Sequence, residues 1–213
     1  MINYRYLKKK IILFLEENLL LLFFIIVFFV IGVIFGTLAV RTLEYAQKEE
    51  LVEYLGKFIL EINQLVRNDR QLIAQNIVIS NLRFVFLFWL LGLTVVGALL
   101  IPIIIFLRGF IVGFTVGFLL DQMFLRGIIL AIISVVPQNI IFLPSLILGA
   151  LVSISFALTL GKGILMGSRY KFRFLVTNYS IVMLMIGILL FTAGFVEAYI
   201  TPTLIRLIAD YIV

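Results

Sequence analysis

The sequence predicts an all-α, polytopic transmembrane bundle of about five spanning helices, with a broken, re-entrant half-helix and an extracytoplasmic amphipathic helical insertion. Three observations predict it. The 213 residues are 64% hydrophobic and 13% charged, where a soluble domain runs about 45–50% apolar and about 25% charged. Three long runs carry no charge at all: Asn18 to Val40, Phe84 to Leu107 and Phe174 to Val196. Each is long enough to cross about 30 Å of hydrocarbon at about 1.5 Å per residue. Finally, the single sizeable polar segment, Arg41 to Arg83, sits between two such runs with no Pro/Ser-rich linker, so residues 1–213 read as one membrane domain.

In chain order, residues 1–17 form a basic cytoplasmic start (Arg5, Lys8, Lys9, Lys10). The run 18–40 that follows exceeds the 7–15 apolar residues typical of a signal peptide and reads as an uncleaved anchor. Residues 84–107 are the second span and 109–123 the third, entered at Arg108 and carrying Asp121 near its far end. From Gly127 to Gly161 there is again no charge. That stretch is too long for one untilted span and too short for two, and Pro137 and Pro144 interrupt it. It reads as a half-span over 127–139 followed by a full span over 140–161. A basic loop at 162–173 leads to the last span, 174–196, and then to an amphipathic tail, 197–213. Lys and Arg concentrate in the start, at Arg108 and in the loop, whereas the six in Arg41 to Arg83 are offset by six acidic residues. The positive-inside rule then puts the N-terminus in the cytoplasm and the C-terminus outside.

The formal charge of +6 lies in short clusters between apolar runs, which suits an anionic membrane surface rather than nucleic acid. With neither cysteine nor histidine, disulfides, thiol chemistry, most metal sites and a Ser-His-Asp triad are excluded. No phosphate loop, dinucleotide fingerprint, GxSxG elbow or HExxH motif is present. The carboxylates of the insertion, Glu44, Glu49, Glu50, Glu53, Glu61 and Asp69, read as a solvated face. No catalytic residue, metal site or cofactor is expected.

Three patterns are candidates for function. Within 41–83, Leu51, Leu55, Phe58, Ile62 and Leu65 recur at spacings of four and three and draw one apolar stripe on a helix. The stripe either packs on the protein's own bundle or membrane, or docks another protein. Gly109, Gly113 and Gly117 form GxxxGxxxG, with Gly32 and Gly36 in the first span, for close packing within the chain or for a homo-oligomer. Gln138 and Asn139 sit between the two prolines and either satisfy a helix break or line a small-solute site. Asp121 and Glu197, like Arg126, are ionisable groups at membrane segments, where an anchoring role competes with a functional one.

Taken together, GVIFG (32–36), NLR (81–83), RGFIVGFTVGFLLDQM (108–123), SVVPQN (134–139) with Pro144, and EAYITP (197–202) resemble the stage II sporulation protein M family of bacterial integral membrane proteins, over essentially the whole chain. Wider relatives often carry a His-Gly pair after the first proline and a glutamate before the second. Here those positions are Gln138, Asn139 and Phe142, which weighs against a titrating group there. The resemblance implies a role at engulfment in endospore formation, at the sporulation septum and the mother-cell membrane. It also implies partners, the stage II sporulation proteins D and P, which degrade peptidoglycan and which the membrane protein would recruit or anchor. The competing expectation is a small-solute or lipid permease built on Pro137 to Pro144.

Overall fold

The computed structural model describes residues 4–68, 70–165 and 172–212. Those residues are helical apart from short turns. Helix α1 (Tyr4–Glu17) bends at Asn18, whose Nδ2 donates to the Phe14 carbonyl at 2.8 Å, and α2 (Leu19–Arg41) follows. Helix α3 (Tyr45–Asn68) and α4 (Arg70–Gly92) come next. The helical run Gly97–Leu165 then divides at Phe124, which adopts φ 49° and ψ −119°. Its two parts are α5 (Gly97–Phe124) and α6 (Gly127–Gly163). The chain closes with α7 (Phe172–Ile212). Five helices are long and apolar enough to cross a membrane: α2, α4 from Ala74, α5, α6, and α7 over Arg173–Thr201.

The closest approach is between α2 and α5, and glycine makes it possible. A Cβ on Gly109 or Gly113 would run into the carbonyl of Phe29 or Val33, and one on Gly32 or Gly36 into the carbonyl of Phe106 or Phe110. The glycines of each helix thus receive the backbone of the other, and Thr37 Oγ1 donates across the seam to the Gly113 carbonyl at 3.1 Å. Between lipid-exposed helices no hydrophobic force favours association, so such close packing supplies it. The glycine face is therefore occupied by a helix of the same chain.

These contacts also fix helix directions. The seam rises together in α2 and α5, from Phe29 with Gly109 to Thr37 with Gly117, so the two run parallel. Phe84 meets Phe142 and Gly92 lies against Ser153, which makes α4 and α6 parallel. Asn81 meets Glu197 while Trp89 meets Ser180, so α7 opposes α4. One side of the bundle consequently holds the start of α2, the α4–α5 turn and the α6–α7 connection; the other holds α3, the α5–α6 turn and the end of the last span.

The structure departs from the sequence expectations at the span boundaries. The run 84–107 is two helices, because residues 93–96 reverse the chain without a proline or a charge. Thr94 makes this possible: its Oγ1 donates to the Leu91 carbonyl at 2.8 Å and accepts from the Gly97 amide at 3.2 Å, satisfying helix-end groups at both sides of the turn. The third span consequently begins at Gly97, not 109, and Arg108 falls inside it. The half-helix expected at 127–139 is not a separate element, since α6 continues through Pro137 and Pro144. Asn139 Nδ2 and Ser145 Oγ turn back onto the Val135 and Ile141 carbonyls of their own helix, each at 2.7 Å, so these polar groups are met beside the prolines. At 37 residues α6 is about 55 Å long, which extends beyond the hydrocarbon. The tail also continues the last helix to Ile212.

Gly113→Leu places a branched side chain against the Val33 carbonyl, and overpacking of this kind costs about 1–3 kcal/mol or more. The variant is expected to unfold at lower denaturant in bicelles with no change in the number of chains per assembly, measured by light scattering. A variant that instead dissociated an oligomer with intact folding would place the glycine face between copies.

Candidate functional site

Two regions of the molecule hold groups that its helices alone do not require. The first is a polar centre inside the bundle. Arg108 lies about 16 Å along α5 from Gly97, deep in the span, where a free arginine costs about 2.5–3.5 kcal/mol. Its guanidinium rests on two phenyl rings, 4.3 Å from the centroid of Phe142 and 5.6 Å from that of Phe84. The two rings meet edge to face at 5.8 Å. Cation–π contact stabilises a desolvated guanidinium by about 2 kcal/mol, so the clamp offsets most of that penalty.

Around this clamp the register gathers further polar groups. Asn81 precedes Phe84 by one turn of α4; it is 4% exposed, and its Nδ2 donates to Glu197 Oε2 on α7 at 3.5 Å. Gln138 and Asn139 precede Phe142 by one turn of α6. Arg108 and Glu197 attract each other electrostatically, without an ion pair joining them. Thus the centre unites two sequence candidates that seemed separate, the Gln138–Asn139 pair and Glu197. It also adds Arg108 and Asn81. Sequence reading placed Arg108 at a helix end because the apolar run before it appeared to fill the membrane; the signal that relocates it is Gly92, Thr94 and Gly97 acting together as a turn.

Asp121 belongs elsewhere. It stands at the end of α5, where its Oδ2 pairs with Lys48 Nζ of α3 at 2.7 Å and accepts from Gln122 Nε2 at 2.9 Å. Leu55, one of the stripe residues, packs with Val116 and Met123 against Leu119, Leu130 and Ala131 at the α5–α6 hairpin. Lys48, Leu51 and Leu55 lie on the inner, partly buried side of α3. The rest of the helix circumference is exposed: Tyr45 and Tyr54, at 83% and 69%, stand on opposite flanks, with Glu49, Glu50 and Glu53 between them. Phe58, Ile62 and Leu65 of the stripe lie outside the described side chains, as does Arg126.

Elsewhere the interior is closed by its own hydrogen bonds. Tyr179 on α7 donates to the Phe88 carbonyl at 2.9 Å and meets the hydroxyl of Ser153 at 3.0 Å, its ring stacked on Phe156 at 4.2 Å. Gly92 leaves room for that hydroxyl. A groove of about 530 Å³ between α4 and α7 is lined by apolar side chains such as Phe86, Met183 and Ile188, and Ser180 there is taken by Trp89 Nε1 at 2.9 Å. It supplies no polar path across the bundle.

A family model described as Stage II sporulation protein M matches residues 25–202, most of the chain and all of both regions described above. No curated protein and no solved structure matches the chain.

The two attachments of α3 differ in strength. An ion pair this close to solvent contributes about 0–1 kcal/mol, whereas truncating a partly buried leucine removes several methylene contacts at roughly 0.8 kcal/mol each. Leu55→Ala is therefore expected to raise amide hydrogen exchange in 45–57 well above the increase produced by Lys48→Ala. Equal effects would show that the ion pair contributes as much as the apolar contact, and a larger effect of Lys48→Ala that the ion pair holds the helix.

Proposed function

The chain belongs to the Stage II sporulation protein M family, a family of sporulation membrane proteins, and from that premise we propose that it is a non-catalytic membrane scaffold. It recruits or anchors the peptidoglycan-degrading stage II sporulation proteins D and P during engulfment. The observation that carries this reading is α3. It lies outside the spans and is fastened by one side to the α5–α6 hairpin through Leu55 and Lys48. The rest of its circumference, with Glu49 and Glu53 flanked by Tyr45 and Tyr54, is exposed.

A scaffold needs a rigid face held at a fixed height above the membrane, and a helix pinned by its inner side supplies one. Leu51 and Leu55 position the helix, and the partner contacts lie on its exposed circumference. Tyrosines are the residue type that most often anchors a protein interface, because they bury much area at small entropy loss. The acidic residues between them favour a partner with a basic contact surface. The permease reading drew on a broken helix at Pro137 to Pro144, and α6 is unbroken there.

The orientation follows from charge. The side with the start of α2 and the α4–α5 turn carries Lys9, Lys10, Lys162 and Arg173, so it faces the cytoplasm and α3 faces outward. The protein then sits in the sporulation septum and the mother-cell membrane with its docking helix on the side where peptidoglycan lies.

Two measurements test this reading. Purified in detergent, the protein is expected to capture the external domains of stage II sporulation proteins D or P, and Tyr45→Ala with Tyr54→Ala to weaken capture at least about tenfold, the equivalent of about 1.4 kcal/mol. Undiminished capture by a variant that inserts and folds normally would move the docking site off this face. Separately, a C-terminal alkaline phosphatase fusion is expected to be active and a C-terminal green fluorescent protein fusion dark. The reverse pattern overturns the orientation.

A further inference from the structure

The polar centre around Arg108 has more hydrogen-bonding capacity than its own side chains consume. Arg108 Nε, Gln138 Oε1 and Asn139 Oδ1 are shielded from solvent, yet reach no hydrogen-bond partner among the described residues; Thr201 Oγ1, one turn beyond Glu197, is the same. Asn139 and Thr201 are each 8% exposed. Asn139 does use its Nδ2, on the Val135 carbonyl, so its orientation is set and its oxygen is left pointing away from that bond. These groups come from different helices, α5, α6 and α7, and helix register places them at one level of the bundle: Gln138 and Asn139 one turn before Phe142, which carries the Arg108 guanidinium, and Glu197 opposite Asn81, one turn before Phe84.

The chemistry of these groups restricts the guest that completes them. A guanidinium only donates, whereas amide and carboxylate oxygens only accept. A bridging guest must therefore accept from Arg108 and donate to Gln138 and Asn139. The centre already contains one positive and one negative charge, Arg108 and Glu197, so a lone cation or anion would leave a net charge buried at membrane depth. Water both accepts and donates, carries no charge, and stabilises buried sites that offer two to four polar partners.

We propose that the centre is an internal water site, in which bound water links the Arg108 guanidinium to the oxygens of Gln138, Asn139 and Glu197. The two charges are then coupled through solvent rather than by contact, and Asn81 ties α4 into the same network through Glu197. The result is a hydrated, charge-neutral clasp joining α4, α5, α6 and α7 near the middle of the bundle. It is independent of any docking on α3.

The test uses the full chain with 15N-labelled arginine and glycine, reconstituted in vesicles of phosphatidylethanolamine and phosphatidylglycerol, and solid-state NMR in which magnetisation starts on water. The Arg108 Nε signal is assigned by its loss in Arg108→Lys, which keeps the charge. Transfer from water to Arg108 Nε is expected, with none to the amides of Gly109 and Gly113 in the dry seam. Absence of transfer overturns the proposal. So does transfer from lipid phosphorus, which would make a headgroup the guest. As a second measurement, Arg108→Gln and Glu197→Gln should each lower the unfolding midpoint in bicelles, and the charge-swapped pair Arg108→Glu with Glu197→Arg should recover most of the loss. A swap no better than the single variants removes the coupling.

Discussion

The backbone contact between α2 and α5 is the constraint on which the rest of the bundle depends. Two helices surrounded by lipid gain nothing from hiding apolar side chains, so they associate only where their surfaces fit closely. Here the fit is obtained by removing side chains. Gly32 and Gly36 on one helix and Gly109 and Gly113 on the other let each backbone sit against the other's carbonyls. That parallel pairing sets the height of α5 relative to α2. It thereby sets the height of Arg108, which immediately precedes Gly109 of the seam, and of Asp121 at the outer end, where α3 is fastened.

Polar groups at membrane depth obey a second constraint, that each must find a partner inside the protein. The molecule meets it locally wherever it can. Thr94 serves both sides of a turn, Tyr179 reaches the last carbonyls of α4, and Asn139 and Ser145 return to their own helix beside the prolines. Arg108 is the exception. Its guanidinium is met by aromatic faces on two other helices rather than by a neighbour in sequence. A group satisfied only by tertiary contacts holds helices together, because separating them exposes it to lipid.

What the sequence reveals about this fold follows the range of the forces involved. Charge-free length is a local property, and it gives the number of membrane-crossing helices and the places of the first and last. Glycine spacing is local too, and Gly109, Gly113 and Gly117 are legible as a packing face, though not which helix covers it. The turn at 93–96 was hidden because the residues around it are apolar and its polar demand is met by a single threonine. The prolines misled in the opposite sense: a missing amide hydrogen suggests a break, but the helix continues through both positions. The polar centre was least legible, since Asn81, Arg108, Asn139 and Glu197 become neighbours only after four helices pack. On α3 the period of the apolar stripe was clear, and only the structure shows that Leu55 faces inward.

The parallel pairing of α2 with α5 has a consequence for biosynthesis. Thr37 and Gly113, which bond across the seam, are 76 positions apart, and α3 and α4 are made in between. At about 5–20 residues per second, α2 waits roughly four to fifteen seconds in the bilayer before its partner exists. Throughout that time it has to be stable as a solitary helix in lipid, with its glycine face uncovered. This accounts for a property that the finished bundle does not require: α2 is the most apolar of the five spans and the one with the smallest buried share. Its composition is suited to the nascent chain, and the later, more polar spans can afford their charges because α2 and the growing bundle are there to receive them.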